Sequence, residues 1–369
     1  MPAPPARSSP DSGNAVAAGA PSLSSDLIQP VEARISDVLA TETERWGELD
    51  PSLRQPLESL RRLVLAGGKR LRPAFCFWAF VGLGGSPDDE RITDAGAALE
   101  MLHTCAVIHD DISDGSPRRH GIDALHVEFS RQHDEAGWRG EGRRFGEGAA
   151  ILVGDLAFVY ADILLRSSPA QVRELFDQLR LEVNVGQYLD VTATVSNDSD
   201  PELARRIARY KSAKYTVERP LHVGAALADP PQLSDVLVAF SEYGLPLGEA
   251  FQLKDDILGV FGDTAVTGKP VGEDLREGKP TLLYALACQR AAGPDAKLLT
   301  ERFGSPDMTP AEVAGLQAVF EGTGARAQVE ARIQQLVEAS STRALTLPIN
   351  AGAREALLDL ARFVGARQY

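Results

Sequence analysis

Apolar residues recur along this chain at helical spacing. Leu27, Val31, Ile35 and Leu39 fall every four residues, and Val172, Leu175, Phe176 and Leu179 follow the mixed three-and-four spacing of one helix face. Residues 99–114 are almost unbroken apolar sequence until they meet Asp110, Asp111 and Asp114. That pattern predicts a core helix whose C-terminal end opens into a site. A further helix is predicted after Pro280, with Leu282, Leu283 and Leu286 facing inward. Strand-and-helix alternation and hairpin series are both missing from the pattern, so the expected fold class is all-α. Glycines and charges at 131–148 predict a flexible loop. A second loop is expected at 196–201, with Asp200 capping the helix that Pro201 begins. Residues 259–280 carry five glycines together with Pro270 and Pro280, which predicts a mobile, charged, lid-like loop.

Composition narrows the function classes. The chain has 369 residues, 44% of them hydrophobic, which is ample for a buried core. Its formal net charge of -14 excludes the basic footprint of a nucleic-acid binder. No apolar run approaches the roughly 20 residues of a membrane span. Cys76, Cys105 and Cys288 are far apart and form no CxxC pair, so they read as reduced thiols of a cytoplasmic protein. Residues 1–25, rich in Ala, Pro, Ser and Gly, lack a signal-peptide layout and read as a disordered tail.

Three clusters carry candidate chemistry. In HDDISD, Asp110 and Asp114 share a helix face with Asp111 beside them. Like charges there repel one another, and a hard divalent cation relieves the repulsion. Mg²⁺ favours one or two carboxylates, several waters and phosphate oxygens. A second acidic pair, Asp255 and Asp256, follows an apolar stretch in AFQLKDDILG. Two such clusters facing one another across a cavity would hold metals bridging a diphosphate; each alone fits a solvated acidic face as well. The third cluster is basic: GGKRLRP at 67–73 sets Lys69, Arg70 and Arg72 behind two glycines, which let backbone approach a ligand.

Taken in order, these motifs resemble the trans-isoprenyl diphosphate synthases of the polyprenyl synthetase family, most of all its geranylgeranyl diphosphate synthases. The resemblance runs from about residue 27 to the C-terminus. It covers GGKRLRP (67–73), His103, HDDISD (109–114), GD (154–155), GQYLD (186–190), KSAKY (211–215), FQLKDD (251–256) and TGKPVGEDLREGKPT (267–281). It implies one domain over 26–369, an antiparallel helix bundle around a deep central cavity, and a homodimer. It further implies head-to-tail condensation of isopentenyl diphosphate with an allylic diphosphate, using on the order of two or three Mg²⁺ ions per site. The metal ligands would be Asp110, Asp111, Asp114, Asp255 and Asp256, and the catalytic residues Asp110, Asp111, Lys211 and Asp255. Lys69, Arg70 and His103 would hold isopentenyl diphosphate. Arg119, Lys211 and Lys269 would contact the allylic diphosphate, with Gln252 nearby, and Gln187 and Ser212 would lie by the reacting carbons. Lys279 joins the substrate-binding set.

Two positions depart from the family pattern. His120 stands where a second Arg would grip isopentenyl diphosphate, with Arg118 a possible substitute. Gly259 replaces the third acid of the second cluster, and Asp263 is four residues further on. In this family the helix before the first motif forms the floor of the elongation cavity. Here those residues are Met101, Leu102, Cys105 and Ala106, none of them aromatic, which favours a twenty-carbon product. Two other readings are a class I terpene cyclase, which GGKR and His103 oppose, and a non-catalytic subunit of a heteromeric prenyltransferase, which Gly259 would suit.

Overall fold

The computed structural model describes residues 25–119, 121–262 and 272–366. The expected tail lies outside them apart from Ser25, as do His120, Asp263 and Lys269. The chain runs through α1 (Ser25–Leu49), α2 (Arg54–Leu65), α3 (Leu71–Gly82), α4 (Glu90–Asp114), α5 (Leu125–Glu135), α6 (Gly142–Leu164), α7 (Ala170–Ser196) and α8 (Pro201–Ile207). A π-helix spans Ala208–Glu218. Then come α9 (Arg219–Ala228), α10 (Leu233–Phe261), α11 (Glu273–Glu277), α12 (Leu282–Arg290), α13 (Pro294–Arg302), α14 (Pro310–Gly322), α15 (Ala325–Ala344) and α16 (Ala351–Ala366). Among the described residues the only strands are β1 (Arg118–Arg119) and β2 (Ile122–Asp123), an antiparallel pair. The fold is an all-α bundle around a cavity.

α4 is the central element. From Ile92 to Ile108 it is buried on nearly every side, as a helix apolar all round requires. It packs on α1, α3 and α6. Gly115, left-handed at φ 67°, ends the helix directly after Asp114. The apolar stripe of α1 is buried as expected, and Asp200 caps α8 through the Glu202 amide. α12 begins after Thr281, whose side chain accepts from the Tyr284 amide.

Two of the expected loops are shorter than predicted. α5 continues to Glu135 and α6 begins at Gly142, so only 136–141 of the 131–148 stretch connects helices. Gly146 is a packing glycine: a Cβ there would collide with the carbonyl of His126, so its absence lets α5 and α6 cross closely. In the second stretch, α10 extends through Phe261 and α11 covers Glu273–Glu277; residues 263–271 lie outside the described residues.

The π-helix is held on two sides. On α7, a Cβ at Gly186 would collide with the Lys211 backbone, and on α10 a Cβ at Gly248 would lie 2.5 Å from the Cα of Ala213. Charge fixes it further. Lys214 donates to Glu182 of α7 at 2.7 Å and pairs with Glu218 at 3.3 Å. Arg219 makes two 2.7 Å bonds to Glu182. Burial opposes ionisation of Glu182, but these donors outweigh it and lower its pKa to about 2.

Removing Glu182 would leave Lys214 and Arg219 half-partnered in a mostly buried site. Glu182→Ala is expected to lower unfolding free energy by roughly 3 kcal/mol, the low end for breaking a buried ion pair from one side. Chemical denaturation checks this; an unchanged midpoint would show that the cluster is not structural.

Candidate active site

The C-terminal turn of α4 faces a cavity of about 680 Å³. Its wall on this helix is Glu100, His103, Thr104, Val107 and Asp110, one face at three-four spacing. Three acids in that last turn also meet the negative end of the helix dipole, so cations are needed beside them. Lys211 Nζ lies 3.0 Å from Asp110 Oδ1 and 2.5 Å from Asp190 Oδ2 of α7. Gln187 donates to the same Asp110 oxygen at 3.0 Å. Arg119, carried on β1, bonds Asp111 through Nε at 2.9 Å and again through a second nitrogen. Lys279 Nζ sits 3.0 Å from Asp114 Oδ2, 2.8 Å from Glu277 Oε2 and 3.7 Å from Asp274 Oδ1.

These pairings set the charges. Burial raises the pKa of Asp110, but Lys211, Lys279 and Arg119 together hold it below the usual carboxylate range. Asp114 is pushed up by burial, which Lys279 partly offsets and Asp110 and Glu277 reinforce. Lys211 and Lys279 stay protonated despite burial because carboxylates surround them.

Asp255, Asp256 and Gly259 of α10 line the opposite wall with Gln252. Gln252 donates to Asp256 at 2.7 Å. Burial pushes Asp256 up to about 8, and Asp274, Asp255 and Asp190 push the same way.

The basic end is built by the 67–73 segment. Gly67 and Gly68 take φ of 128° and 120°, open to glycine alone in practice, and the chain then passes through left-handed Arg70 into α3. That backbone turns Arg70 inward. Its guanidinium meets Glu100 at 2.7 Å, Glu32 at 3.0 Å and the Val64 carbonyl at 2.7 Å. Arg70 thus borders the cavity as a buried, ion-paired guanidinium. Arg72 lies beside it. It lines the cavity, stacks 4.2 Å over the Tyr215 ring, and bonds Thr216 at 3.1 Å. Lys69 and His103 line the same end, and His103 Nδ1 is 2.8 Å from the Tyr215 hydroxyl.

Other expectations are also revised. Ser212 is buried within the π-helix and does not line the cavity. Arg118 is exposed and donates to the Gly121 carbonyl at 2.7 Å, so it does not reach the site. Met101, Leu102 and Cys105 are buried off the cavity face, and Ala106 does not line the cavity either. Cys105 Sγ lies 3.9 Å from His109, whose own ring reaches the Ile151 carbonyl of α6. The helix register, 3.6 residues per turn, rotates this set toward α6.

Arg72, Asp190 and Asp274 had no assigned role in the sequence reading. Asp190 closes the GQYLD motif, three residues from Gln187 and so on the same face. Arg72 shares its motif with Arg70, and both line the cavity.

The comparisons agree with this geometry. The polyprenyl synthetase family model matches residues 54–320. The short chain isoprenyl diphosphate synthase of Methanothermobacter thermautotrophicus is 32% identical over 85% of this chain and 90% of its own length. The nonaprenyl diphosphate synthase of Mycobacterium tuberculosis is 28% identical over 91% of this chain and 92% of its own. A crystal structure of geranylgeranyl pyrophosphate synthase from Corynebacterium glutamicum, complexed with isoprenyl diphosphate and magnesium, aligns with TM-score 0.87 and 36% identity. It covers 93% of this chain and 99% of that one. The chain belongs to the polyprenyl synthetase family and is a trans-prenyltransferase.

Proposed function

We propose that this enzyme condenses isopentenyl diphosphate with an allylic diphosphate in the cytoplasm and releases geranylgeranyl diphosphate. The observation that carries the reading is the division of one cavity into an end with acids on two facing helices and an end with Lys69, Arg72 and His103. An acid end suits a diphosphate bridged by cations. A purely basic end suits a second diphosphate that keeps its leaving group.

The donor set fits Mg²⁺. Among the described residues no three acids converge on one ion-sized point. Instead Asp110 lines one wall, with Asp114 in the same last turn of α4, and Asp255 and Asp256 line the other, each wall offering one or two carboxylates and leaving room for water and phosphate oxygens. When bound, Mg²⁺ would supply charge that stabilises the departing diphosphate. Arg119, Lys211 and Lys279 supply further positive charge at the same end, fixed in place before the substrate arrives. Lys69, Arg72 and His103 would orient isopentenyl diphosphate so that its double bond meets the allylic carbon. Apolar walls from Val107, Phe251 and Leu258 keep water from the developing cation. The proton then lost would pass to the released diphosphate.

The twenty-carbon product is supported by the likeness to the Corynebacterium glutamicum geranylgeranyl pyrophosphate synthase. A homodimer is supported by an exposed apolar face. Leu152, Val159 and Ile163 on α6 and Leu181, Val185, Tyr188 and Val195 on α7 are exposed at helical spacing. The two faces adjoin, because Arg180 of α7 bonds Asp162 of α6 at 3.0 Å. An apolar patch of this extent marks an association surface.

Purified enzyme supplied with Mg²⁺, isopentenyl diphosphate and in turn dimethylallyl, geranyl and farnesyl diphosphates is expected to give a linear twenty-carbon product by mass spectrometry. A cyclic hydrocarbon made without isopentenyl diphosphate would overturn the reading in favour of a cyclase. Lys211→Ala is expected to lower kcat by about 10²- to 10³-fold, the scale for losing one fixed charge at a leaving group. Val185→Glu combined with Leu152→Glu is expected to halve the mass seen by light scattering; an unchanged mass would place the interface elsewhere.

A further inference from the structure

The side chains of the basic end lean on aromatic residues. Arg72 stacks on Tyr215, and His103 meets the Tyr215 hydroxyl. Lys69 meets a different ring. Its Nζ lies over Phe363, 5.3 Å from the ring centroid. Lys69 lines the cavity and Phe363 does not, so Phe363 stands behind the ligand-facing residue rather than beside the ligand.

The chain reaches this contact from its far end, on α16. That helix begins against the end of α3. Asn350 donates from its backbone amide to the Gly82 carbonyl and from its side chain to the Val81 carbonyl, each at 2.8 Å. The same side chain accepts from the Ala353 amide at 2.9 Å and so caps α16. A Cβ on Gly82 would lie 2.9 Å from that of Ala353, so glycine there admits the close approach. From this tie α16 runs back along α3. Phe363 is thirteen residues after Asn350 and Lys69 thirteen before Gly82, which brings the two to about one level. The middle of α16 is fixed as well, because Tyr243 of α10 donates to the Leu357 carbonyl at 2.7 Å. Phe363 therefore arrives beside Lys69 on a helix anchored at its start and its centre.

Lysine gains from such a support. Its ammonium rides on a flexible four-carbon stem. Here it also follows Gly67 and Gly68, both exposed. An aromatic face attracts a cation through its quadrupole and takes none of its hydrogen-bond donors.

We propose that Phe363 is a positioning residue, whose ring holds the Lys69 ammonium at the cavity so that the C-terminal helix helps to set the affinity for isopentenyl diphosphate. The inference rests on the reading that the basic end receives that substrate. The other end draws Lys211, Arg119 and Lys279 from the π-helix, β1 and the segment after α11. A change at residue 363 is thus expected to reach one substrate and not the other.

The test is steady-state kinetics on the full chain with each substrate varied in turn. Phe363→Leu keeps an apolar side chain but removes the ring. It is expected to raise KM for isopentenyl diphosphate about two- to fivefold, the range for a partly exposed cation–π contact, at parental kcat and parental KM for the allylic diphosphate. Phe363→Met, a second ring-free variant, is expected to do the same. Phe363→Tyr keeps the ring and is expected to keep the parental KM. In a Lys69→Met background, Phe363→Leu is expected to add no further loss, because the cation is gone. Urea denaturation confirms that each variant is folded under assay conditions. A parental KM in both ring-free variants, equal rises for the two substrates, or an undiminished effect in the Lys69→Met background overturns the proposal alone. If the parent consumes no isopentenyl diphosphate, the reading of the basic end falls and takes the proposal with it.

Discussion

Everything at this site follows from the need to keep a dense group of carboxylates charged inside a helix bundle. Asp110, Asp190, Asp255, Asp256 and Asp274 line one cavity, with Asp111, Asp114 and Glu277 close by, and burial disfavours ionisation of Asp110, Asp114 and Asp256. The structure meets the cost with a few cations, each brought by a different element. Lys211 comes from the π-helix and bridges Asp110 to Asp190. Arg119 comes from the small β ladder and covers Asp111. Lys279 follows α11 and joins Asp114 to Glu277. Among the described residues Asp256 has no such cation beside it: burial first, and its acidic neighbours after that, push its pKa to about 8.

That requirement explains the local geometry of the supporting elements. The π-helix carries Lys211 and Lys214 three residues apart, yet one turns to the cavity wall and the other to Glu182. A π-helix advances fewer degrees per residue than an α-helix, so residues three apart diverge on its surface. Close packing on Gly186 and Gly248 fixes where those side chains emerge. The ion pairs on one side of the π-helix thus position the chemistry on the other.

Much of this was legible in the sequence. The run from 99 to 114, the two acidic clusters at helix ends and the Asp200 cap all depend on short-range spacing, and each lies on a helix or helix end. What spacing does not give is orientation. Arg70 and Arg72 are chemically equivalent in the sequence. Both line the cavity, but Arg70, in the left-handed conformation, is drawn into an ion pair with Glu100, while Arg72 stacks on Tyr215. Met101, Leu102, Cys105 and Ala106 share a helix with the first motif, but the register carries them off the cavity face. The glycines at 142, 146 and 148 suggested a loop because glycine count does not distinguish freedom from close packing. At Gly146 it is a close helix crossing that demands glycine. Asp274 was illegible for a different reason: its place on the cavity wall depends on the path of the chain between α10 and α11.

The pairing of acids with cations also resolves how a chain of net charge -14 binds two anions. Binding a diphosphate at an unpaired, solvated lysine would require stripping water from both partners. At this site Lys211, Lys279 and Arg119 are already desolvated and held by carboxylates, so the cost of burying them belongs to folding rather than to binding. If a diphosphate binds here with Mg²⁺ as proposed, the carboxylates would hold the metal while Lys211, Lys279 and Arg119 would meet phosphate oxygens. The number of buried charges on the protein is unchanged, while each contact becomes one to a substrate whose negative charge grows as the allylic bond breaks. Interactions that strengthen in that direction favour the transition state over the ground state. The acids and cations of the site are for this reason one device, and the ion pairs that stabilise the fold also stand where the proposed reaction would receive its leaving group.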